Sequence, residues 1–456
     1  MDVHIGIDDT DSPRGFCTTY LGFLLSLEFK ARGFSFLDLP YLVRLNPNVP
    51  FKTRGNAAVS IHLSVPEDKL EEIKSVVVET LLKNVEDHGK VSPGFAIATG
   101  KIHENLHELY LRALREYVPQ SYVMEKVKEG FFGKVEVGGL RSQRGVVGAL
   151  AALGAYPLEQ YTYELLVYRN PAVRGEKRGI EESLLLGIDR KYRPVVFGTY
   201  DYAERRAPAV PRGPDPVLLG LRALNADMLV ELFSLHLEGL VRSVESVGYI
   251  IYKTNQATDA HLGLKKPIHR IRPYDSVVIE GHVSGKPEVL TGGHVKIKVC
   301  EEEECVDVMF YRETGRLNRV ARLLKPGDKV QIGGGVLPRK TKTLNAEVIR
   351  VVHLEDVVIC TNPVCPKCGA RMKSAGSGKG YKCPKCGYHS KMLSKVCVKM
   401  PRILEPGLYV SSVRAYRHLT KPKEIYGLSS TPSQTLAREG NFVGLVLSKG
   451  AQVERS

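Results

Sequence analysis

The sequence lacks any long apolar run and any recognisable export signal. No stretch approaches the roughly 18 consecutive apolar residues that a membrane-spanning helix needs. The first residues run straight into a short apolar segment, without the basic start and apolar core of a signal peptide. Nine cysteines without a leader argue against a disulfide framework and favour reduced thiols or a metal site. We therefore expect a cytoplasmic protein that does not bind a membrane.

The sequence also lacks the common phosphate-binding loop. No Gly-x4-Gly-Lys-Ser/Thr pattern occurs, and the nearest candidate, Gly94 to Lys101, has the wrong spacing and no hydroxyl. If the protein uses ATP, it does not use a standard nucleotide-binding fold.

Positive charge is concentrated at one end of the chain. The 456 residues carry a net charge of +15, with 65 Lys and Arg against 50 Asp and Glu. From His353 onward there are 17 basic and 6 acidic residues. This distribution favours a nucleic-acid-binding end joined to a less charged body. The alternative is a basic tail without a partner. The length predicts three or four domains.

Three carboxylates follow the first predicted strand, Val3–Ile7. In an open α/β sheet, ligands bind beyond the carboxyl ends of the strands, which is where these side chains are expected. Asp8, Asp9 and Asp11 repel one another at this spacing, so a cation between them would keep them ionised. Hard oxygen ligands of this kind suit Mg²⁺ held against phosphates. The alternative is an acidic N-cap of the next helix. Thr18, at the predicted start of that helix, could cap it, contact a phosphate or accept a phosphoryl group.

Two loops carry cations that suit an anion. The loop from Asn46 to Asn56 contains two prolines, Gly55 and the cations Lys52 and Arg54. A second, glycine-rich bend contains Arg141 and Arg144 just before a predicted helix, where backbone amides also favour anions. These residues predict a phosphate site, and an ordinary exposed loop is the alternative for the first.

The segment 136–268 has helices and strands in ferredoxin-like proportions. Within it, Asp201 and Asp215 lie at predicted strand boundaries and could each pair with a cationic ligand. The prolines around Asp215 also fit a plain turn.

From Asp275 the pattern becomes all-β. Five short strands, with a helical interval near residues 316–324, fit an OB-fold barrel that binds single-stranded nucleic acid. An SH3-like barrel is the competing fold.

Two Cys-x2-Cys pairs form the strongest motif. Cys365, Cys368, Cys383 and Cys386 supply four thiolates, which is the ligand set of a closed, structural zinc site. Cys360 and Cys397 lie outside the pairs and are expected to be core residues, with zinc ligation as the alternative. Lysines surround the pairs, and Tyr381 and Tyr388 are available to stack on bases.

Taken together, these motifs resemble the tRNA(Ile) 2-agmatinylcytidine synthetase family. The likeness extends to about residue 430 and rests on these segments: Ile5–Ser12, Gly15–Thr19, Asn48–Asn56, Thr254–Gln256, Thr258–His261, the barrel and the two cysteine pairs. Arg141–Gly145 departs from the more glycine- and asparagine-rich loop expected of the family.

The resemblance implies an ATP-dependent ligase that joins agmatine to C2 of the wobble cytidine in the CAU-anticodon isoleucine tRNA. ATP would phosphorylate the C2 oxygen, agmatine would displace that group, and AMP and phosphate would be released. The family's kinase domain also phosphorylates a threonine of its own, which maps onto Thr18. Asp8, Asp9 and Asp11 would hold Mg²⁺, and Asp201 or Asp215 would hold the agmatine guanidinium. Lys52, Arg54, Gly55, Asn56 and Arg144 would bind ATP phosphates.

We therefore predict a multidomain α+β protein. Its parts are an α/β kinase-like catalytic domain (1–135), a ferredoxin-like agmatine-binding domain (136–268), an OB-fold RNA-binding domain (269–355), a zinc ribbon (356–400) and a basic C-terminal tail (401–456). Two other functions remain open. A non-enzymatic RNA-binding protein would not need the aspartates, and a phosphohydrolase would need no RNA.

Overall fold

One mixed sheet joins the two halves of the first 254 residues. In this computed structural model we describe residues 1–12, 15–50, 52, 55–85, 88–170, 173, 176–239, 246–433 and 435–445. The strands are β1 (Asp2–Asp8), β2 (Ser35–Phe36), β3 (Tyr41–Arg44), β4 (Ala57–Ser64), β5 (Gly94–Thr99), β6 (Val135–Gly139), β7 (Thr162–Arg169), β8 (Val196–Phe197), β9 (Val217–Ala223), β10 (Ser246–Thr254), β11 (Ser276–Val289), β12 (Val295–Glu301), β13 (Glu304–Phe310), β14 (Lys329–Val336), β15 (Thr343–His353), β16 (Val357–Thr361), β17 (Lys373–Ser374), β18 (Tyr381–Lys382), β19 (His389–Ser390), β20 (Val396–Met400), β21 (Gly407–Val410) and β22 (Val443–Leu445). The α-helices are α1 (Thr18–Ala31), α2 (Leu70–Asn84), α3 (Glu104–Arg115), α4 (Gln120–Lys128), α5 (Val146–Gly154), α6 (Glu182–Tyr192), α7 (Ala226–Leu232), α8 (Arg316–Leu323) and α9 (Thr435–Glu439).

The strand order of this sheet is β6-β5-β1-β4-β3-β10-β7-β9-β8, with β2 beside β4 and β22 beside β10. The central strand β1 is antiparallel to both of its neighbours, β4 and β5. Only the pairing of β3 with β10 is parallel among the described strands of this sheet, and it joins the two antiparallel halves. The aspartates therefore do not lie at the shared carboxyl edge of parallel strands, as the open α/β sheet interpretation assumed.

Helices cover both faces of β1, which explains its almost continuous apolar sequence. Val3, Ile5 and Ile7 are at most 1% exposed and belong to the same hydrophobic cluster as α1 and α2. On the other face, α5 packs very closely. A Cβ on Gly6 would lie 2.2 Å from the carbonyl oxygen of Ala149, so only glycine fits there. This packing brings the start of α5 to the end of β1.

Residues 276–353 form a five-stranded barrel. Antiparallel pairs join β12 to β11, β11 to β14, β14 to β15 and β12 to β13. The parallel pair β13 and β15 closes the barrel, and α8 lies between β13 and β14 in the chain. Alternating apolar residues of every strand fill its interior. The predicted strands and the helical interval are confirmed.

The ribbon and the last part of the chain correct two predictions. Cys360 and Cys397 are exposed and form a disulfide between β16 and β20, so their prediction as core residues is wrong. Cys300 and Cys305 form a second disulfide at the turn between β12 and β13, against the expectation of reduced thiols. Paired β-strands bring each of these cysteines directly opposite its partner, which spacing in the sequence does not reveal.

The segment expected to be a basic tail is folded in its described part. β21 extends the barrel beside β15, and β22 pairs with β10 in the large sheet. Between them, residues 416–426 cross the junction of the barrel and the first sheet. Among the described helices, none combines the length and apolarity needed to cross a membrane.

Candidate active site

A cavity of about 360 Å³ opens where β1 ends and α5 begins. Seven predicted site residues line it together: Asp8, Asp9, Asp11, Thr18, Lys52, Asn56 and Arg144. The remaining wall contains apolar and polar residues from several elements: Leu45, Val49, Ala57, Ala113, Glu116, Tyr117, Val118, Gln120, Val147 and Gly148. The fold thus gathers residues that are widely separated in sequence, with carboxylates on one side and cations on the other.

Asp8 lies against the first turn of α5. A Cβ on Gly148 would lie 1.8 Å from Oδ2 of Asp8, so glycine makes room for this carboxylate. Burial raises the pKa of Asp8 well above its usual range, and the charge of Asp9 raises it further. A buried carboxyl with this cost is stabilised in its ionised form by a cation, and the positive end of α5 adds to the same effect.

Asp9 is held by Arg144. Nε and Nη2 of Arg144 lie 2.8 Å and 2.6 Å from Oδ2 of Asp9. Burial raises the pKa of Asp9 to about 6, and Arg144 opposes that rise. Asp9 has a positive φ of 56°, a conformation that aspartate tolerates better than most residues. The guanidinium therefore orients one oxygen and leaves the pocket with an acid–cation pair.

Asp11 connects the carboxylates to the start of α1. Its Oδ1 accepts hydrogen bonds from the backbone N of Thr18 at 2.7 Å and from Thr18 Oγ1 at 3.0 Å. Oγ1 of Thr10 donates to Oγ1 of Thr18 at 3.0 Å. Asp11 thus caps the helix, as the alternative interpretation required, and still lines the cavity. Thr18 is only 1% exposed, and its hydroxyl is fixed in direction.

The predicted phosphate loop is placed in part. Lys52 lines the cavity, and burial, followed by the charge of Arg417, lowers its pKa. Asn56 holds the loop closed, because its Nδ2 donates to the carbonyl of Asn46 at 2.8 Å. Gly55 lines a neighbouring cavity of about 340 Å³, while Arg54 lies outside the described residues.

Sequence reasoning missed the contribution of the C-terminal segment to this loop. Arg417 donates to Oδ1 of Asn48 at 2.6 Å and lies 3.3 Å from Oε1 of Glu347 in the barrel. Beside it, His418 lines the neighbouring cavity with Lys52 and Gly55. The charge of Arg44, followed by burial, lowers the pKa of His418 well below its usual range. The imidazole is therefore neutral within a cationic wall.

The motif Thr254–His261 joins these parts. Asn255 Oδ1 accepts from the backbone N of Arg44 at 2.7 Å, and Gln256 contacts both Glu164 and His418. Oδ2 of Asp259 accepts from the hydroxyl of Tyr426, and Nε2 of His261 lies 3.0 Å from Glu347. The motif therefore fastens the sheet, the barrel and the C-terminal segment to one another. Its residue types were the only sequence signal for this junction.

The two carboxylates predicted to bind agmatine do not line the aspartate cavity. Oδ1 of Asp201 accepts from the backbone N atoms of Ala203 and Glu204 at 3.0 and 3.2 Å, which closes a turn. Asp215 lies 3.5 Å from Arg178. Burial raises the pKa of Cys17 to about 12, and the charges of Asp11 and Asp215 add to that rise. Asp215 is thus close to the helix start that carries Thr18.

The four ribbon cysteines meet at one point. Their sulfur atoms lie within 4.8 Å of one another, with 3.6 Å between Cys365 and Cys386 and 3.4 Å between Cys368 and Cys383. A tetrahedral site with Zn–S bonds of about 2.3 Å places sulfurs roughly 3.8 Å apart, so the set fits zinc. Gly369 and Gly387 follow the pairs with φ of 71° and 73°, the conformation that such tight turns need.

Comparison with known protein families gives three matches on separate parts of the chain. The model of the TiaS TCKD domain matches residues 4–66, and that of the TiaS FLD domain matches residues 143–261. The model of the TiaS C-terminal zinc ribbon domain matches residues 362–404.

Proteins named tRNA(Ile) 2-agmatinylcytidine synthetase TiaS are similar over almost the whole chain. That of Thermofilum pendens is 53% identical over 429 residues, which cover 93% of this chain and 95% of the relative. That of Pyrococcus horikoshii is 39% identical over 425 residues, covering 92% and 97%.

Solved structures agree with this likeness. A crystal structure of TiaS in complex with its isoleucine tRNA and ATP superposes with a TM-score of 0.79 at 32% identity, covering 92% of this chain and 97% of that one. A crystal structure of TiaS with the same tRNA, AMPCPP and agmatine gives 0.77 at 30% identity, covering 95% and 99%.

Proposed function

The chain belongs to the tRNA(Ile) 2-agmatinylcytidine synthetase family, and from this premise we infer its reaction. It is an ATP-dependent ligase that attaches agmatine to C2 of the wobble cytidine of the CAU-anticodon isoleucine tRNA. One observation of this chain carries the inference. Three aspartates, the Thr18 hydroxyl, Lys52 and Arg144 line a single cavity, which suits a triphosphate.

The chemistry needs an activated C2 atom. The C2 carbonyl of cytidine is a poor electrophile until its oxygen is converted to a phosphate ester. We propose that ATP supplies this phosphoryl group, that the primary amine of agmatine attacks C2, and that phosphate leaves. Lys52 and Arg144 face the negative charge of the transferring group, which is the largest electrostatic demand of such a transfer.

Asp8, Asp9 and Asp11 would hold Mg²⁺, which would neutralise phosphate charge when bound. The raised pKa of buried Asp8 supports this assignment, because a carboxylate costly to ionise suits a cation partner. Arg144 orients Asp9, and the backbone of Thr18 orients Asp11.

We propose that Thr18 accepts a phosphoryl group during the cycle. Its hydroxyl already donates to Oδ1 of Asp11 at 3.0 Å, the distance at which a carboxylate serves as a general base. The attacking oxygen therefore has a defined direction and a proton acceptor.

For agmatine we favour Asp215 over Asp201. Agmatine is a dication, so a carboxylate should lie near its guanidinium. Asp201 is committed to its own turn, whereas the charge of Asp215 reaches Cys17, the neighbour of Thr18. Asp215 also lies near Arg178, so the ligand would share this carboxylate with a guanidinium of the protein.

We propose the five-part division into residues 1–135, 136–268, 269–355, 356–400 and 401–456, with kinase-like and ferredoxin-like parts sharing the large sheet. The strand order of the barrel supports an OB-fold, because its third and fifth strands pair in parallel and a helix precedes the fourth. Because the substrate is a tRNA, we place the enzyme in the cytoplasm.

The test is incorporation of radiolabelled agmatine into bulk tRNA. We expect label in tRNA only when ATP and Mg²⁺ are both present, and AMP in proportion to it. D9N should abolish incorporation, whereas E182Q, on the distant helix α6, should retain it. Incorporation without ATP, or full activity of D9N, would contradict the proposal.

A further inference from the structure

A second cavity lies between the aspartate cavity and the barrel. It has a volume of about 550 Å³ and is lined by Glu116, Lys266, His269, Arg270, Ile271 and Arg272. Most of these residues belong to the segment that leads from β10 into β11. Glu116 lines both this cavity and the aspartate cavity, so the two are adjacent.

Its cations divide into one that is neutralised and three that are not. Nζ of Lys266 lies 2.6 Å from Glu116 and 2.9 Å from Asp275, so its charge is balanced. The side chains of His269, Arg270 and Arg272 are exposed and contact no carboxylate within the described ranges of the chain. An anion from outside is the partner that these side chains suit.

The backbone that carries these cations is fixed. Ile268 and Ile271 are buried at 0% and 5% exposure and pack in the barrel core. The N–H of Ile268 donates to Glu301 at 2.7 Å, and that of Arg272 donates to Asp275 at 2.9 Å. Buried anchors on either side of Arg270 thus present its guanidinium outward from a rigid support.

An aromatic surface lies next to the cations. Tyr117 follows Glu116, lines the aspartate cavity and is 42% exposed. Its ring lies 6.0 Å, centroid to centroid, from that of Tyr274, two residues beyond Arg272. A base-stacking ring therefore lies between the anion-binding segment and the cavity that holds the aspartates.

We propose that His269, Arg270, Arg272 and Tyr117 form the surface that holds the RNA strand beside the target cytidine. The cations face phosphates flanking that nucleotide, and Tyr117 stacks on a neighbouring base. The proposal rests on the proposed function. It answers an electrostatic problem, because a pocket containing Asp8, Asp9, Asp11 and Glu116 repels RNA unless cations lie at its mouth. Single-stranded RNA is commonly held by such a pairing of cations and stacking rings.

The first test measures tRNA affinity of full-length R270Q/R272Q at several salt concentrations. We expect roughly tenfold weaker binding, and a slope of log affinity against log salt that is smaller by about 1.4, for two single-strand phosphates. ATP affinity without RNA should be unchanged. The matched control is R190Q/R438Q, whose arginines are exposed on α6 and α9 and do not line the cavity.

The second test separates stacking from packing at Tyr117. Y117A should weaken tRNA binding by about fivefold or more, while Y117F should bind normally because the ring remains.

Unchanged affinity and salt slope in R270Q/R272Q, or an equal loss in the control, would overturn the proposal. Lost ATP affinity with normal tRNA binding would also overturn it, by assigning the cavity to nucleotide phosphates. Wild-type protein that fails to modify tRNA would instead refute the proposed function.

Discussion

Arg144 directs both Nε and Nη2 to a single oxygen, Oδ2 of Asp9, at 2.8 Å and 2.6 Å. The two residues are 135 positions apart in sequence, and their contact closes one side of the aspartate cavity. This geometry uses the fork of the guanidinium, which lysine cannot reproduce.

R144K should therefore weaken ATP binding by roughly tenfold, because one of two charge-assisted contacts is lost. It should also shift the acidic limb of the pH–rate profile to higher pH. Arg144 holds down the pKa of Asp9, which burial sets at about 6, so a weaker partner lets that pKa rise. A pH–rate profile of agmatine incorporation checks this. An unshifted acidic limb would mean that ionised Asp9 is not required.

Replacement of Thr18 tests the phosphoryl acceptor. T18A should reduce agmatine incorporation by about 100-fold or more, while tRNA affinity changes less than about twofold. T18S retains the hydroxyl that donates to Asp11 and should keep most of the activity. Full activity of T18A would remove this residue from the mechanism.

The buried carboxyl of Asp8 predicts a conflict between stability and function. Its pKa in the folded protein lies above that in the unfolded chain, so ionisation destabilises the metal-free protein. This cost is absent below about pH 4 and grows as the pH rises toward the folded-state pKa. D8N should therefore raise the melting temperature at pH 8 by a few degrees, since about 1 kcal/mol corresponds to roughly 2–4 °C.

At pH 4 the melting temperatures of D8N and wild type should agree, and D8N should be inactive at both pH values. A melting temperature of D8N below that of wild type at pH 8 would show that ionised Asp8 stabilises the fold without a metal.

Removal of zinc should unfold the ribbon alone. Its buried core contains only three residues, Cys365, Met372 and Cys383, which is too small to fold without the metal. A strong chelator should therefore weaken tRNA binding while ATP affinity remains normal. C360S keeps all four ligands and is the control. Equal tRNA affinity with and without zinc would contradict an RNA-binding role of the folded ribbon.

Arg417 should affect ATP use although the residue belongs to the C-terminal segment. It bridges Glu347 in the barrel and Asn48 in the loop that lines the cavity. R417A leaves a buried carboxylate with one partner fewer, at a cost of about 1–3 kcal/mol. We expect a several-fold higher KM for ATP. R414A, which removes an exposed pair with Glu204, should leave that KM unchanged.

Local patterns predicted the barrel and the zinc site well. Alternation with period two identified the five barrel strands, and two Cys-x2-Cys pairs identified four sulfurs that meet in space. The carboxylates were found for a similar reason, since they lie within four residues of one another.

Long-range contacts were not predictable from one sequence. Nothing near Arg417 indicates Asn48, because the two meet only after the chain has returned from the ribbon. Asp201 shows the opposite error, since its local sequence fits both a ligand and a turn, and its hydrogen bonds favour the turn. The disulfides of Cys300 and Cys360 likewise depend on strand register.

The pairing of β22 with β10 has a consequence for synthesis of the protein. Phe442 is fully buried against Phe36, and Nζ of Lys30 donates to the carbonyl of Val443 at 3.0 Å. The half of the protein that leaves the ribosome first is therefore completed only by almost the last residues translated. The barrel, although it follows in the chain, has its own core and can fold while the ribosome is still at work.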